Sequence, residues 1–335
     1  MSRGELTAVA VTIKDIAAEA NVAISTVSKV LNGHDASISQ ATRERVLATV
    51  ERLGYRPNMV ARGLRAKSTK TIGFVLPDIT NPFFPAIARG IEDYAQTAGF
   101  TVVFCDTDDD IDRQRDSIRS LNSNMVDGMI LTGALGAELV SLEDRAVPTV
   151  VVDRCWEGEF SGVGSVYCDL RAAVAIATGH LLSHGCSRVA FISVSPTLAP
   201  DRYQGYLDAL EKAGVAFDPA LVVEGSYSVD TGDAGVAELL SRTTFDGIVC
   251  GNDLIAIGAL RARKCAGLSV PDDVRVVGLD DIYLSKYVDP ALTTIHQPGY
   301  EMGRAAAQML IEALTQGGRL RGCELPFELV VRQSA

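Results

Sequence analysis

The chain is 335 residues long, 47% hydrophobic and 6% aromatic, with seven cysteines and a formal net charge of −11. These values describe a folded α/β protein with room for two or three domains and exclude a disordered chain. Membrane-spanning and disulfide-rich secreted classes are excluded as well: no apolar run nears about 18 residues, the Met1–Glu5 start has no signal-peptide core, and the scattered cysteines form no CxxC pair and suit free thiols in a reducing cytoplasm.

Residues 1–10 read as a frayed arm. Thr12 to Ala20 follows as a helical pattern, with Ile13, Ile16, Ala17 and Ala20 at 3/4 spacing and a capping box of Thr12 and Asp15 at its start. Asn21 tolerates left-handed backbone and marks a tight turn. Ile24 to Asn32 is a second short helix, with Val27, Val30 and Leu31 on its apolar side and Ile24, Ser25, Ser28 and Lys29 on the other. Two short helices joined so tightly predict a helix-turn-helix whose second helix enters the major groove of DNA. The rival reading is a helical hairpin used only for packing.

Ser39 is expected to cap a third helix, buried through Val46, Leu47, Val50 and Leu53 and stopped by Gly54. The acidic total does not oppose DNA binding. Residues 1–70 hold eleven Lys and Arg against six Asp and Glu, a net of +5, and the remaining 265 residues carry −16. A basic head on an acidic body concentrates phosphate attraction at one end. Tyr55 to Ser68 is short, basic and interrupted by Gly63, with Pro57 suited to a first helical position. It reads either as a plain linker or as a segment that becomes helical only on DNA.

From Thr71 the pattern changes to alternating strands and helices. Strands are expected at 71–77, 101–105, 128–132 and 149–153, with helices at 86–98 and 112–122. After a glycine-rich break at 158–164 the alternation restarts. Helices are expected at 170–183, 202–213, 232–240 and 254–266, and strands at 188–192, 221–223, 247–250, 274–278 and 328–331. This β-α-β alternation predicts parallel sheets with helices on both faces, in two lobes across a cleft. Ligands of such sheets sit at the carboxyl ends of strands, which makes 78–84, Asp106, Asp153–Arg154, Asn252–Asp253 and Asp280–Asp281 the candidate lining.

The stretch Val11–Asn32, the segment Tyr55–Leu64 and the two-lobed body together resemble the lactose-repressor (LacI/GalR) family of bacterial transcription regulators. The resemblance runs from about Val11 to Val331. Its markers are Thr26–Asn32, Tyr55–Asn58, Asn81–Phe84, Gly251–Asp253, Val277–Asp281 and Leu292–Ile295. The body is also similar to periplasmic sugar-binding proteins of the ribose type.

The resemblance implies a three-helix DNA-binding head over residues 11–57 and a hinge helix and linker over 58–70. It implies a first effector-binding lobe of 71–166 with 298–326, and a second of 167–297 with 327–333. It assigns DNA contacts to Thr12, Ile24, Ser25, Thr26, Ser28, Lys29, Asn32, Tyr55, Asn58, Ala61 and Leu64. Ile24, Ser25 and Lys29 fall where base edges are read, and a basic residue there contacts guanine acceptors. Leu64 matches the hinge leucine that wedges into the minor groove. Two departures leave the operator sequence open: Ala23 where the family usually has Ser, and Lys29 where Arg is common.

In the body, Asn81, Phe83, Phe84, Asp153, Arg154, Arg202, Asn252, Asp280 and Gln297 match positions that hold a pentose, and Tyr227 matches an aromatic position. The chemistry suits a sugar, whose C–H faces pack on rings and whose hydroxyls both donate and accept. Taken singly, each polar residue reads as a loop cap or a salt bridge between lobes.

Other signals are set aside. His180 and His184 stand at i, i+4 near Cys186 but lack a fourth zinc ligand. Asp106–Asp112 lacks the glycine and terminal glutamate of a calcium loop, and Gly162–Gly164 is no dinucleotide fingerprint. No metal and no cofactor are expected, and the four histidines form no base–nucleophile pair, so no enzyme is expected. The expectation is a repressor, dimeric on a pseudo-palindromic operator because no leucine-heptad tail follows residue 331, and controlled by a small effector, most simply a pentose such as ribose. A nucleobase or phosphorylated metabolite is the alternative effector, and a solute-binding protein the alternative class.

Overall fold

A computed structural model describes residues 11–55, 68–123, 126–133, 147–155 and 162–335, which divide into two units, 1–69 and 70–335. Among the described residues no helix is long and apolar enough to cross a membrane.

The first unit holds three helices: α1 (Ile13–Glu19), α2 (Ile24–Leu31) and α3 (Gln40–Arg52). The Thr12 amide and hydroxyl both donate to the Asp15 carboxylate, each at 2.7 Å, which closes the start of α1. Asn21 takes φ +49° in the turn, as expected of an Asn there. Ser39 Oγ accepts from the Thr42 amide at 3.3 Å and starts α3. Ile16, Ala17, Ala20, Val27, Val30 and Val46 meet in one small core. Leu47 is a correction: it is 43% exposed, and Thr49 takes the buried position instead, its hydroxyl bonded to the Arg45 carbonyl. The 3.6-residue repeat puts 46, 49, 50 and 53 on one face and leaves 47 outside it.

The second unit contains two six-stranded sheets. One has β1 (Thr71–Leu76), β2 (Thr101–Asp106), β3 (Gly128–Leu131), β4 (Thr149–Val152), β5 (Val163–Tyr167) and β11 (Gly322–Glu324), in the order β11-β5-β4-β3-β1-β2. The other has β6 (Val189–Ser193), β7 (Val222–Glu224), β8 (Gly247–Cys250), β9 (Arg275–Asp280), β10 (Thr293–His296) and β12 (Glu328–Val330), in the order β12-β10-β9-β8-β6-β7. Pairing is parallel throughout, apart from β12, which runs antiparallel to β10. Leaving aside β11 and β12, the two orders are the same arrangement used twice. Each reverses direction between its first and third strands, at β1/β3 and β6/β8, where an α/β sheet opens a crevice for a ligand.

The helices are α4 (Phe83–Thr97), α5 (Ile111–Ser123), α6 (Leu170–Ser183), α7 (Pro200–Ala213), α8 (Val229–Arg242), α9 (Asp253–Cys265) and α10 (Gly299–Gln316). α4 and α10 pack closely because a Cβ on Gly90 would lie 2.0 Å from the Tyr300 carbonyl, and one on Gly303 2.0 Å from the Ile87 carbonyl. Ile282 lies in the buried core of the first lobe, with Leu254, Ile257 and Leu284 packed against it, so the lobes share apolar contacts.

Three expectations change. The helix expected from Ala86 starts at Phe83, because Asn81 Oδ1 accepts the Phe83 amide at 3.1 Å and Pro82 fits a helix start. The glycine-rich break at 158–164 runs into strand β5, where a Cβ on Gly164 would lie 2.7 Å from Met309 Sδ. That glycine makes room for α10 rather than breaking the sheet. The elements β10, α10 and β11 were not predicted.

Candidate functional site

The DNA-facing assignments rest on α2. Ile24 is 45% exposed, Ser25 and Lys29 are exposed, and Thr26 and Ser28 are half-buried. Ala23 provides no side-chain cap, so the first-turn amides of α2 are not spent on a side chain at its start. Asn32 Nδ2 donates to the Ser28 carbonyl at 2.7 Å and to Ser28 Oγ at 3.2 Å, which ties two assigned residues together at the end of the helix. Arg45 Nε donates to the Ala20 carbonyl at 2.9 Å and holds α3 to α1. Tyr55 packs half-buried against the head core. Asn58, Ala61 and Leu64, and with them the hinge helix, lie outside the described residues.

The effector assignments converge at the carboxyl ends of the strands. Asn81 precedes α4 and Asn252 precedes α9, one in each lobe, 4% and 2% exposed. Each spends its Oδ1 on the start of its helix, Asn81 on the Phe83 amide and Asn252 on the Ile255 amide, leaving its NH₂ donors for another partner. Phe83 is 4% exposed and belongs to the core of the first lobe, with Phe84 edge-on to it at 5.5 Å. Phe84 is the more accessible ring of the pair.

Arg202 on α7 reaches across to Asp153 at the end of β4, with Nη2 3.6 Å from Oδ2, both side chains well buried. Its guanidinium lies over the Tyr227 ring at 4.7 Å. Burial works against the charge of Arg202, but the surrounding Tyr227, Asp153 and Asp280 outweigh it and strengthen its hold on the proton. Burial pushes the Asp153 carboxyl up against the pull of Arg202 and Arg154, and pushes Asp280 well up. Gln297 Nε2 donates to Asp280 Oδ1 at 2.9 Å.

The sequence left open whether the polar residues act as caps and bridges or as ligand contacts. Asn81 and Asn252 do cap helices, and Asp153–Arg202 does bridge the lobes. These roles leave atoms over: Asp153 Oδ1, Arg202 Nε and Gln297 Oε1 are buried and meet no hydrogen-bond partner. Buried polar atoms without partners are costly, and three of them in one cluster mark where a polar ligand fits.

Other candidate lining residues face elsewhere. Asp106 Oδ1 accepts the Ile79 amide at 3.1 Å, and Asp78 caps Thr80. Asp281 turns toward Arg332 and His296 at 2.6 and 3.2 Å. Asp253 is 1% exposed. Sequence reasoning missed the bond from Arg154 Nη2 to the Leu198 carbonyl, a second tie between lobes. No local signal could show it, because its acceptor is backbone. Ser193 Oγ, at the end of β6, is another buried atom without a partner. Among the described residues no group of three or more His, Cys, Asp and Glu is placed to hold a metal ion.

Comparison with known proteins places these features in context. Residues 12–58 match the family described as bacterial regulatory proteins, lacI family, and residues 178–335 match a periplasmic binding protein-like domain. The ribose operon repressor of Halalkalibacterium halodurans is 37% identical over 327 residues, covering 96% of each chain. Catabolite control protein A of Priestia megaterium is 35% identical over 330 residues, covering 97% of this chain and 99% of that one. Among solved structures, the lac repressor dimer bound to operator and the anti-inducer ONPF superposes with a TM-score of 0.83 at 27% identity, covering 97% of this chain and 99% of that one. A LacI family regulator from Enterococcus faecium with bound ribose gives 0.71 at 30% identity, covering 79% of this chain and 98% of that one.

Proposed function

The chain belongs to the lacI family of bacterial regulatory proteins and is a DNA-binding transcriptional repressor rather than an enzyme, and from that premise we propose that a neutral sugar, a pentose such as ribose, binds between its lobes and controls its hold on DNA. The repressor acts in the cytoplasm as a homodimer on a pseudo-palindromic operator, two copies of α2 reading two half-sites. The hinge that the resemblance assigns to residues 58–70 lies, up to residue 67, outside the described residues. Effector binding draws the lobes together and is coupled through that segment to the hold on DNA, for which a coupling of about 1–3 kcal/mol suffices.

One observation carries the effector reading. The three buried atoms without partners, Asp153 Oδ1, Arg202 Nε and Gln297 Oε1, offer two acceptors and one donor, which is the mixture a polyol satisfies. A phosphate would bring negative charge beside Asp153 and Asp280, two carboxyls that burial already drives toward their protonated forms. The relative named for a ribose operon and the structural neighbour with bound ribose support the same reading.

A thermal-shift panel of pentoses, hexoses, their phosphates and nucleobases tests it. A ligand at 100 times its Kd stabilises the fold by about 2.7 kcal/mol, and D-ribose or a near relative is expected to produce that shift. Silence from every sugar with a shift from a purine or phosphate replaces the sugar reading. Leu64→Ala is expected to weaken operator binding by about tenfold or more while leaving ribose binding intact. Unchanged DNA affinity in that variant removes the hinge wedge.

A further inference from the structure

Asp253 is the second residue of the Asn252-Asp253 pair, and the two side chains part company. Asn252 caps α9 with its Oδ1. Asp253 points the other way, 1% exposed, and accepts three hydrogen bonds: from the Ile282 amide at 2.9 Å, from Ser285 Oγ at 2.5 Å and from Thr294 Oγ1 at 2.5 Å. Its neighbour in β9 is Gly278, where a Cβ would lie 2.1 Å from Asp253 Oδ1. The carboxylate therefore joins the start of α9, the segment that follows β9 through Ile282 and Ser285, and strand β10 through Thr294, from inside the lobe.

What it joins matters for the cleft. Asp280 and Asp281, the two residues before Ile282, both have positive φ, +116° and +55°. A non-glycine pair in this region is strained and persists only when its surroundings hold it. Gln297 holds Asp280, Arg332 and His296 hold Asp281, and Asp253 holds the amide that ends the turn. Asp280 is one of the two carboxylates, with Asp153, that the resemblance assigns to the effector.

We propose that Asp253 is a positioning residue for effector binding: without touching the ligand, its carboxylate locks the 280–282 turn and so aims Asp280 into the cleft. This rests on the sugar-binding reading of that cleft. An ionised carboxylate accepts from all three donors at full strength, whereas a protonated one gives up an acceptor position to its own hydrogen. Burial pushes Asp253 up to about 7, against the lowering effect of those three hydrogen bonds. The other groups around it are Asp281 and Asp280 on the turn and Cys250 on β8, with Arg202, Arg332 and His296 beyond them. The sign follows: the turn is held best when Asp253 is charged, so effector affinity rises with pH through the region near 7.

Titration calorimetry of the full chain with D-ribose between pH 5.5 and 8.5 tests the proposal on wild type, Asp253→Asn and Ser285→Ala. Wild-type affinity is expected to rise about tenfold through a transition near pH 7, the worth of one charge-assisted hydrogen bond. Asp253→Asn is expected to lose that transition and to bind about tenfold more weakly at pH 8.5. Ser285→Ala keeps the carboxylate but removes a bond to its charged form, so the midpoint moves to higher pH. This second variant decides the matter if Asp253→Asn does not fold. A flat wild-type profile, or a midpoint unmoved in the variants, overturns the positioning role alone. A wild type that binds no D-ribose at any pH overturns the sugar reading and the proposal with it.

Discussion

Arg202 concentrates the chemistry of the cleft into one side chain. It pairs with Asp153 of the other lobe, lies over Tyr227 and keeps Nε without a partner. Arg202→Met keeps most of the volume and removes the charge, leaving two buried carboxyls without their cation. Effector affinity is expected to fall at least about 30-fold, and stability by about 3 kcal/mol, read by ribose titration and urea unfolding. Unchanged ribose affinity would place the ligand elsewhere. At this scale the sequence was partly legible. Asn81 and Asn252 stand just before apolar helical patterns, where each spends its Oδ1 on a helix start, and Asp153, Arg202 and Gln297, named from the resemblance, lie in one cluster. The division of labour in Asp280-Asp281 and Asn252-Asp253 was not legible. Asp280 and Asp281 point to opposite sides because the backbone has positive φ at both, whereas Asn252 is extended just before the helix that Asp253 begins, and nothing in the residue types reports either backbone state.

At the scale of the element, the helix pairs show what spacing reveals and what it hides. The head helices were visible because each is short and periodic, and the caps expected for α1 and α3 form, although the buried face of α3 takes Thr49 in place of Leu47. The α10 helix was not predicted, although Met302, Ala306, Ala307, Leu310 and Ile311 are all buried along one face. Gly299 and Gly303 obscure it, since glycine disfavours a helix interior. Their presence has a packing cause that lies on another helix: α4 approaches so closely that Gly303 has no space for a side chain. Gly303→Val is therefore expected to force α4 and α10 apart and to cost about 2 kcal/mol or more, measured by urea unfolding. A neutral result would mean that the two helices slide to accommodate it. The glycine-rich approach to β5 misled for the same reason, with Gly164 giving way to α10 rather than ending the sheet.

For the whole molecule, charge is divided as function requires. Residues 1–70 carry +5 and the remaining 265 carry −16, so DNA binding and effector binding should respond differently to salt. Affinity for a nonspecific 30-base-pair duplex, followed by fluorescence anisotropy, is expected to fall with log[salt] at a slope of about −5 or steeper for the dimer. Ribose affinity is expected to stay flat over the same range, because the ligand is neutral. A salt-dependent effector would instead point to an anion. The duplicated strand order was legible as two rounds of β-α-β alternation, and β12 as a short strand at 328–331, but β11, the three-residue strand on the chain's return, was not. That return has a mechanical consequence. The chain passes between the lobes three times, after β5, after β10 and between β11 and β12, and Tyr167 sits in register with Glu324 while His296 sits opposite Glu328. Three ribbons laid side by side form a leaf spring. A leaf spring bends about one line, and that line is the axis along which the closure proposed for effector binding would be confined to a single arc of travel.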